Sequence, residues 1–177
     1  MITVQEFYTD QLQFTIDTNL NNYTTATCHV NGNETTDITK RNCFIHKNKF
    51  NFNIYSNYPE HLIPYDGWQL LKYDNNSFFT VHKDKQHNQF HNYTALLYPN
   101  FTKFKGGDLI IMNMNTLDKS SVITRIKTSE FTKTTLVIIP IYWYHYVEPI
   151  TEGTRYVFKN SVTSKNINSF NENDLCD

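Results

Sequence analysis

Residues 68–84 read WQLLKYDNNSFFTVHKD. Two short runs, Trp68–Tyr73 and Ser77–His82, are rich in aromatic and β-branched residues and flank Asp74-Asn75-Asn76. Such side chains fit a pleated, half-buried surface, and Asn and Asp tolerate the backbone angles of tight turns. The stretch therefore predicts two strands joined by a turn. The same pattern recurs downstream in Tyr93–Tyr98, Asp108–Met114, Ser121–Ile126, Thr134–Ile139, Tyr144–Glu148 and Arg155–Val162. Turn-like pieces lie between them at Lys105-Gly106-Gly107, Asn115–Lys119 and Glu152-Gly153. Eight short strands at this spacing predict an antiparallel sandwich or a small barrel.

Eight is also the strand number of a double-stranded β-helix, or jelly roll. Upstream the pattern changes. Val4, Phe7, Tyr8, Leu12 and Phe14–Ile16 fall roughly at helical spacing and predict an N-terminal helix over residues 3 to about 20. In the Asn- and Thr-rich segment 21–60, Cys43–Ile45 and Phe50–Tyr55 look like short strands, with Phe50, Phe52 and Ile54 alternating at period two. The expected fold is mainly β: a jelly-roll core over about 68–162 and an N-terminal support over about 1–67. The support supplies the helix and short extra strands. Residues 1–177 are expected to form one domain, with a polar, frayed end from Lys165.

Composition narrows the function classes. Aromatics reach 15% of the 177 residues, which favours a β-rich core. The formal net charge of -1 gives no global positive field to draw nucleic acid or an anionic membrane, although a local basic groove is compatible with it. Cys28, Cys43 and Cys176 are odd in number and widely spaced, which suits neither a disulfide framework nor a zinc CxxC pair. The N-terminal residues lack the basic and apolar regions of a secretory signal, and the longest apolar run, Leu136 to Tyr144, is strand-sized. These features predict an intracellular, reducing compartment without membrane insertion.

The chemistry-bearing residues lie within the predicted strands. His82 and Asp84 stand two apart, so in a strand both face one side. A neutral imidazole and a carboxylate on one face are two thirds of a 2-His-1-carboxylate metal site. His145 lies about 60 residues later, the separation a jelly roll uses to return the chain beside the first pair. Arg155 follows across a Pro149- and Gly153-containing connection, which predicts His145 and Arg155 on neighbouring strands of one sheet. An interior guanidinium needs an anion, and a ligand carboxylate fits it in bidentate fashion. His87 and His91 sit in a polar segment expected to be a flexible loop near the site. His29, His46 and His61 show no partners in the sequence.

With these residues in view, Trp68 to Val162 resembles the catalytic core of the 2-oxoglutarate/iron(II) oxygenases, in the prolyl-4-hydroxylase-like branch. The resemblance rests on Gln69–Asp74, Phe78–Asp84, Thr94–Asn100, Phe104–Leu109 and His145–Tyr156, in the family's order. It implies that His82, Asp84 and His145 ligate Fe(II) and form the catalytic centre. It implies that Arg155 pairs with the distal carboxylate of 2-oxoglutarate, that Tyr98 hydrogen-bonds the same carboxylate, and that Tyr73 and Thr94 line the pocket. The implied reaction hydroxylates a C–H bond, consumes O2, converts 2-oxoglutarate to succinate and CO2, and uses ascorbate as an auxiliary reductant. A prolyl residue in a protein or peptide is the implied substrate, with a small molecule as a further candidate.

Two departures stand out. Ile141-Tyr142-Trp143-Tyr144 is unusually aromatic for the branch, and the N-terminal portion is short. Among alternatives, a nucleic-acid demethylase of the same superfamily usually carries a second Arg six residues after the first, where this chain has Ser161. A non-catalytic cupin-like binding protein has no reason to retain all four of His82, Asp84, His145 and Arg155.

Overall fold

The computed structural model describes residues 2–7, 16, 19–30, 33–51, 54, 62–64, 67–84, 91–100, 103–112 and 122–164. Its strands in chain order are β1 (Thr3–Phe7), β2 (Tyr23–Thr25), β3 (Cys28–Val30), β4 (Asn33–Thr35), β5 (Arg41–Asn42), β6 (Phe44–Phe50) and β7 (Leu62–Pro64). They continue as β8 (Trp68–Tyr73), β9 (Phe78–His82), β10 (His91–Tyr98), β11 (Phe104–Gly106) and β12 (Leu109–Met112). The last are β13 (Val122–Ile126), β14 (Thr134–Pro140), β15 (His145–Val147), β16 (Ile150–Gly153) and β17 (Arg155–Ser164).

From β8 onward the core strands divide between two antiparallel sheets, while β11 and β16 pair with each other. The larger runs β1-β14-β10-β17-β8-β6-β2, with β7 on β17, and the smaller runs β13-β12-β15-β9-β5. The eight core strands β8, β9, β10, β12, β13, β14, β15 and β17 match the eight expected segments in place and order. Their four-and-four division is the jelly roll.

Period-two alternation explains why the larger sheet is nearly continuous in apolar residues. Leu71, Tyr73, Leu96, Tyr98, Val137, Ile139 and Val157 face inward against Leu109, Ile111 and Val147 of the smaller sheet. Their chain neighbours Leu70, Ala95, Leu97, Leu136, Ile138 and Phe158 face outward into a second core with Tyr23, Ile54 and Trp68. A sheet covered on both faces reads as a continuous hydrophobic run. The residues before 68 therefore supply cover for its outer face. His46 belongs to this cover: it is buried, its ring meets Tyr23 edge-on at 5.0 Å, and its Nδ1 accepts from the Asn48 backbone N–H at 3.0 Å.

The expected N-terminal helix is not seen among the described residues. Thr3–Phe7 pairs antiparallel with Ile138–Thr134 at the edge of the larger sheet. Val4, Phe7 and Ile16 suggested helical spacing, but β14 offers an open row of backbone N–H and C=O groups whose pairing outweighs a weak periodicity. Among the described residues there is no α-helix, only two single-turn 3-10 segments. Tyr8, Leu12 and Phe14 lie outside the described residues, as do His61, His87, Asn115–Lys119 and the tail from Lys165. Among the described residues, no helix is long and apolar enough to cross a membrane.

A second correction concerns the connection from His145 to Arg155. It is not a simple turn between neighbouring strands. It contains β16, which pairs with β11. It carries the chain from β15 in the smaller sheet to β17 in the larger one, so His145 and Arg155 lie on opposite sheets. Pro149 and Gly153 marked where the chain bends without revealing that the bend changes sheets.

Candidate metal and co-substrate site

The smaller sheet pairs His145 directly with His82, where β15 meets β9. Their rings lie 4.3 Å apart, and Asp84 follows two residues after His82. One ligand atom from each of His82, Asp84 and His145 lies within 4.8 Å of the others. His82 Nε2 is 3.9 Å from Asp84 Oδ1, and His145 Nε2 is 3.7 Å from Asp84 Oδ2. The expected i, i+2 geometry and the expected return of the chain meet at one point.

Hydrogen bonding fixes the state of each group. His82 Nδ1–H donates to the Thr80 carbonyl at 2.7 Å, and His145 Nδ1–H donates to the Trp143 carbonyl at 3.1 Å. A carbonyl oxygen only accepts, so both protons sit on Nδ1 and both Nε2 lone pairs point toward Asp84. Burial drives both imidazoles toward the neutral form. It holds His82 well below the usual histidine range, helped by His145 and opposed by Asp84, and it lowers His145 against the pull of Asp84. For Asp84, burial alone acts to raise its pKa. Lys159, His145 and His82 together overcome that and hold the carboxyl far below the usual carboxylate range. Two neutral imidazoles and one carboxylate with converging lone pairs are a donor set suited to iron(II), leaving positions open for further ligands.

Behind His82 lies a stack that the sequence did not reveal. Phe79 lies flat on His82, with centroids 3.5 Å apart and planes 16° from parallel. The Arg41 guanidinium sits 4.5 Å over the Phe79 ring and donates to Cys43 Sγ at 3.2 Å and the Thr27 carbonyl at 2.8 Å. Arg41 comes from β5, which pairs with β9. Nothing in the spacing of residues 21–60 pointed to it.

Arg155 opens β17 in the larger sheet, paired with Tyr73 at the end of β8. It is among the largest fully buried side chains, 1% exposed, as expected of an interior guanidinium. Its guanidinium lies 4.1 Å over the Tyr73 ring and 5.9 Å from the Tyr98 ring. Its Nη1 donates to the Gly107 carbonyl at 2.8 Å, and its Nε is buried with no partner among the described residues. A buried, unpaired guanidinium N–H is costly, and a ligand carboxylate satisfies it. The donor set thus fits 2-oxoglutarate. Burial pushes the Tyr98 hydroxyl up to about 12 against the pull of Arg155, so it remains a neutral hydrogen-bond donor. Burial and Cys43 likewise raise Tyr73 above the usual tyrosine range, opposed by Arg41 and Arg155.

Gly107 holds Arg155 in place. Its φ is +70°, its carbonyl accepts from both Arg155 Nη1 and Thr128 Oγ1, and a Cβ there would collide with Ile150 Cδ1 and lie 3.4 Å from Arg155 Nη1. Gly107→Ala is expected to cost about 2–4 kcal/mol, from the left-handed backbone and the overpacked Ile150. Thermal denaturation measures this. A loss below about 0.5 kcal/mol would mean that the turn relaxes freely.

Thr94 does not line the pocket wall passively. Its Oγ1 donates to Asp84 Oδ2 at 2.5 Å. On the other oxygen, Lys159 Nζ meets Asp84 Oδ1 at 2.5 Å. Thr94 on β10 and Lys159 on β17 belong to adjacent strands of the larger sheet. Asp84, at the end of a smaller-sheet strand, is thus fastened across the gap by two donors. Lys159 had a legible signal: it is in phase with Arg155 and Val157 on the inward face of one strand.

The family model described as 2OG-Fe(II) oxygenase superfamily matches residues 68–161. The chain belongs to this family. The match begins at β8 and ends in β17, so it takes in both sheets and all seven residues expected at the site. No curated protein sequence matches the chain. Among solved structures, the chain is similar to a 2OG-Fe(II) oxygenase family oxidoreductase from Burkholderia pseudomallei at 14% identity. That match covers 58% of this chain and 44% of that one, with a TM-score of 0.44. It is similar to a prolyl-4-hydroxylase from Pseudomonas putida at 13% identity, covering 55% and 51%, TM-score 0.39. It is also similar to a prolyl hydroxylase from Trichoplax adhaerens, solved with a hypoxia inducible factor oxygen degradation domain peptide fragment. There the identity is 17%, the coverage 59% and 47%, and the TM-score 0.42. The chain spans about half the length of these oxygenases.

Proposed function

We propose that this oxygenase-family chain is a 2-oxoglutarate-dependent dioxygenase that hydroxylates a C–H bond, with a prolyl residue of a protein or peptide as substrate. The observation that carries the reading is the pairing of His82, Asp84 and His145 with a buried Arg155 on the facing sheet whose Nε has no partner among the described residues. Bound iron(II), with 2-oxoglutarate and O2, supplies hydroxylation coupled to formation of succinate and CO2.

In this reading His82 and His145 each present Nε2 to the metal, fixed by the Nδ1–H bonds to Thr80 and Trp143. Asp84 supplies the charge that retains it. Arg155 receives the distal carboxylate of 2-oxoglutarate, and the Tyr73 and Tyr98 rings lie 4.1 Å and 5.9 Å from its guanidinium. The surrounding Leu96, Leu109, Ile111 and Val157 are all buried and exclude water from the inner end. Ascorbate would be the external reductant of such a site.

The aromatic stretch before His145 supports a peptide substrate. Tyr142 is 43% exposed, Trp143 and Tyr144 are half-buried, and Lys83 Nζ lies 4.4 Å over the Tyr144 ring. These residues flank His82, Asp84 and His145 in sequence. Aromatic surfaces of this kind receive proline-containing segments in extended conformation.

A succinate-release screen tests the reading. With Fe(II), 2-oxoglutarate and ascorbate, proline-containing peptides are expected to raise succinate release at least about tenfold above the uncoupled background. Free amino acids, methylated oligonucleotides and other small molecules form the comparison arms. Release with methylated oligonucleotides alone would move the substrate to nucleic acid. No release with any arm would leave a binding protein.

A further inference from the structure

Asp84 carries two competing claims on one carboxylate. Its Oδ1 is held by the Lys159 ammonium and its Oδ2 by the Thr94 hydroxyl, while both face the imidazole Nε2 atoms. The carboxylate is only 8% exposed, whereas the Lys159 side chain is 26% exposed and reaches it from the larger sheet. Arg155 already provides a buried cation on the same strand face, so Lys159 is a second positive charge turned into the gap between the sheets.

Resting on the metal-site reading above, we propose that Lys159 is a positioning residue acting through Asp84. Its ammonium is a built-in counter-ion that stabilises the metal-free site and thereby sets a lower metal affinity. The physical reason is a sign difference. Without a metal, an enclosed carboxylate needs a cation, and breaking such a pair destabilises the fold. With a divalent metal bound to the carboxylate, the metal supplies that compensation and the ammonium becomes a like charge a few ångströms away. The same lysine therefore favours the metal-free protein and disfavours the loaded one. A residue that only oriented Asp84 would favour both. Thr94, which is neutral and holds the other oxygen, fits that second role.

Lys159→Met removes the charge and keeps the chain length. Two quantities are measured on the whole chain: the thermal midpoint of the chelator-treated protein, and the affinity for Mn(II), an air-stable substitute for iron(II), by calorimetric titration. The midpoint is expected to fall by about 3 °C or more. The Mn(II) dissociation constant is expected to fall about tenfold or more, the equivalent of ~1.4 kcal/mol. Lys159→Arg keeps the charge and is expected to hold both values near wild type. Thr94→Val is expected to weaken Mn(II) binding instead. Weaker or unchanged Mn(II) binding in a folded Lys159→Met variant would overturn the counter-ion role while leaving the metal site standing. Should Lys159→Met not fold, Lys159→Gln carries the same test. Failure of the wild-type chain to bind Mn(II) at all would overturn the metal reading and this inference with it.

Discussion

Arg155→Leu is expected to raise the 2-oxoglutarate concentration needed for half-saturation by about a hundredfold or more, while metal affinity stays within about threefold. The guanidinium is buried in the larger sheet, with Tyr73 under its face and Gly107 anchoring Nη1. A carboxylate seated on it is a charge-assisted pair in a dry site. Removing one partner of such a pair costs about 3–5 kcal/mol, and each ~1.4 kcal/mol is tenfold in affinity. Leucine fills part of the volume and leaves no unsatisfied Nε, so the variant should fold. Because His82, Asp84 and His145 belong to the smaller sheet or follow it, the metal should barely sense the change. Anaerobic titrations with 2-oxoglutarate and with metal, done separately, give the two numbers. Equal losses in both would mean that Arg155 supports the fold and has no special relation to the co-substrate.

Asp84→Ala is expected to lower metal affinity by about a thousandfold or more. Outer-sphere substitutions around a metal typically cost 10–100-fold, and loss of the only anionic ligand exceeds that. The two imidazoles left behind are neutral, since burial holds both below the usual histidine range, and neutral donors alone retain iron(II) weakly. The readout is the visible charge-transfer absorption that appears when iron(II) and 2-oxoglutarate are added together without oxygen. It should vanish in the variant and persist in Arg155→Leu at high co-substrate. An intact band in Asp84→Ala would sink the ligand assignment. The variant also frees Lys159, so its metal-free stability separates loss of a ligand from loss of an ion pair.

Local patterning made the eight core strands legible. Period-two alternation and turn residues such as Asp74–Asn76 act over a few residues, and β8 and β14 start where those signals start. The N-terminal segment failed for the opposite reason. Its apolar spacing was weak, and the open edge of β14, more than 120 residues away, decided the conformation of Thr3–Phe7. The route from His145 to Arg155 failed similarly, because a change of sheet leaves no mark in ten residues of sequence.

At the site the same division holds. The sequence by itself singled out the candidate side chains: the His82-x-Asp84 pair and the distant His145, which the structure brings together, and Arg155 with Tyr73 and Tyr98. Residue type and strand phase suffice for that, since each is a local property. Only the tertiary structure decided what surrounds them. It placed Arg155 across the gap from His145, set Phe79 and Arg41 behind His82, and turned Thr94 from a pocket wall into a donor to Asp84. It also brought Lys159 onto the same carboxylate across 75 residues of chain. Contacts between sheets depend on how two layers pack and on which charges are buried together, and neither is encoded in the spacing of any one strand.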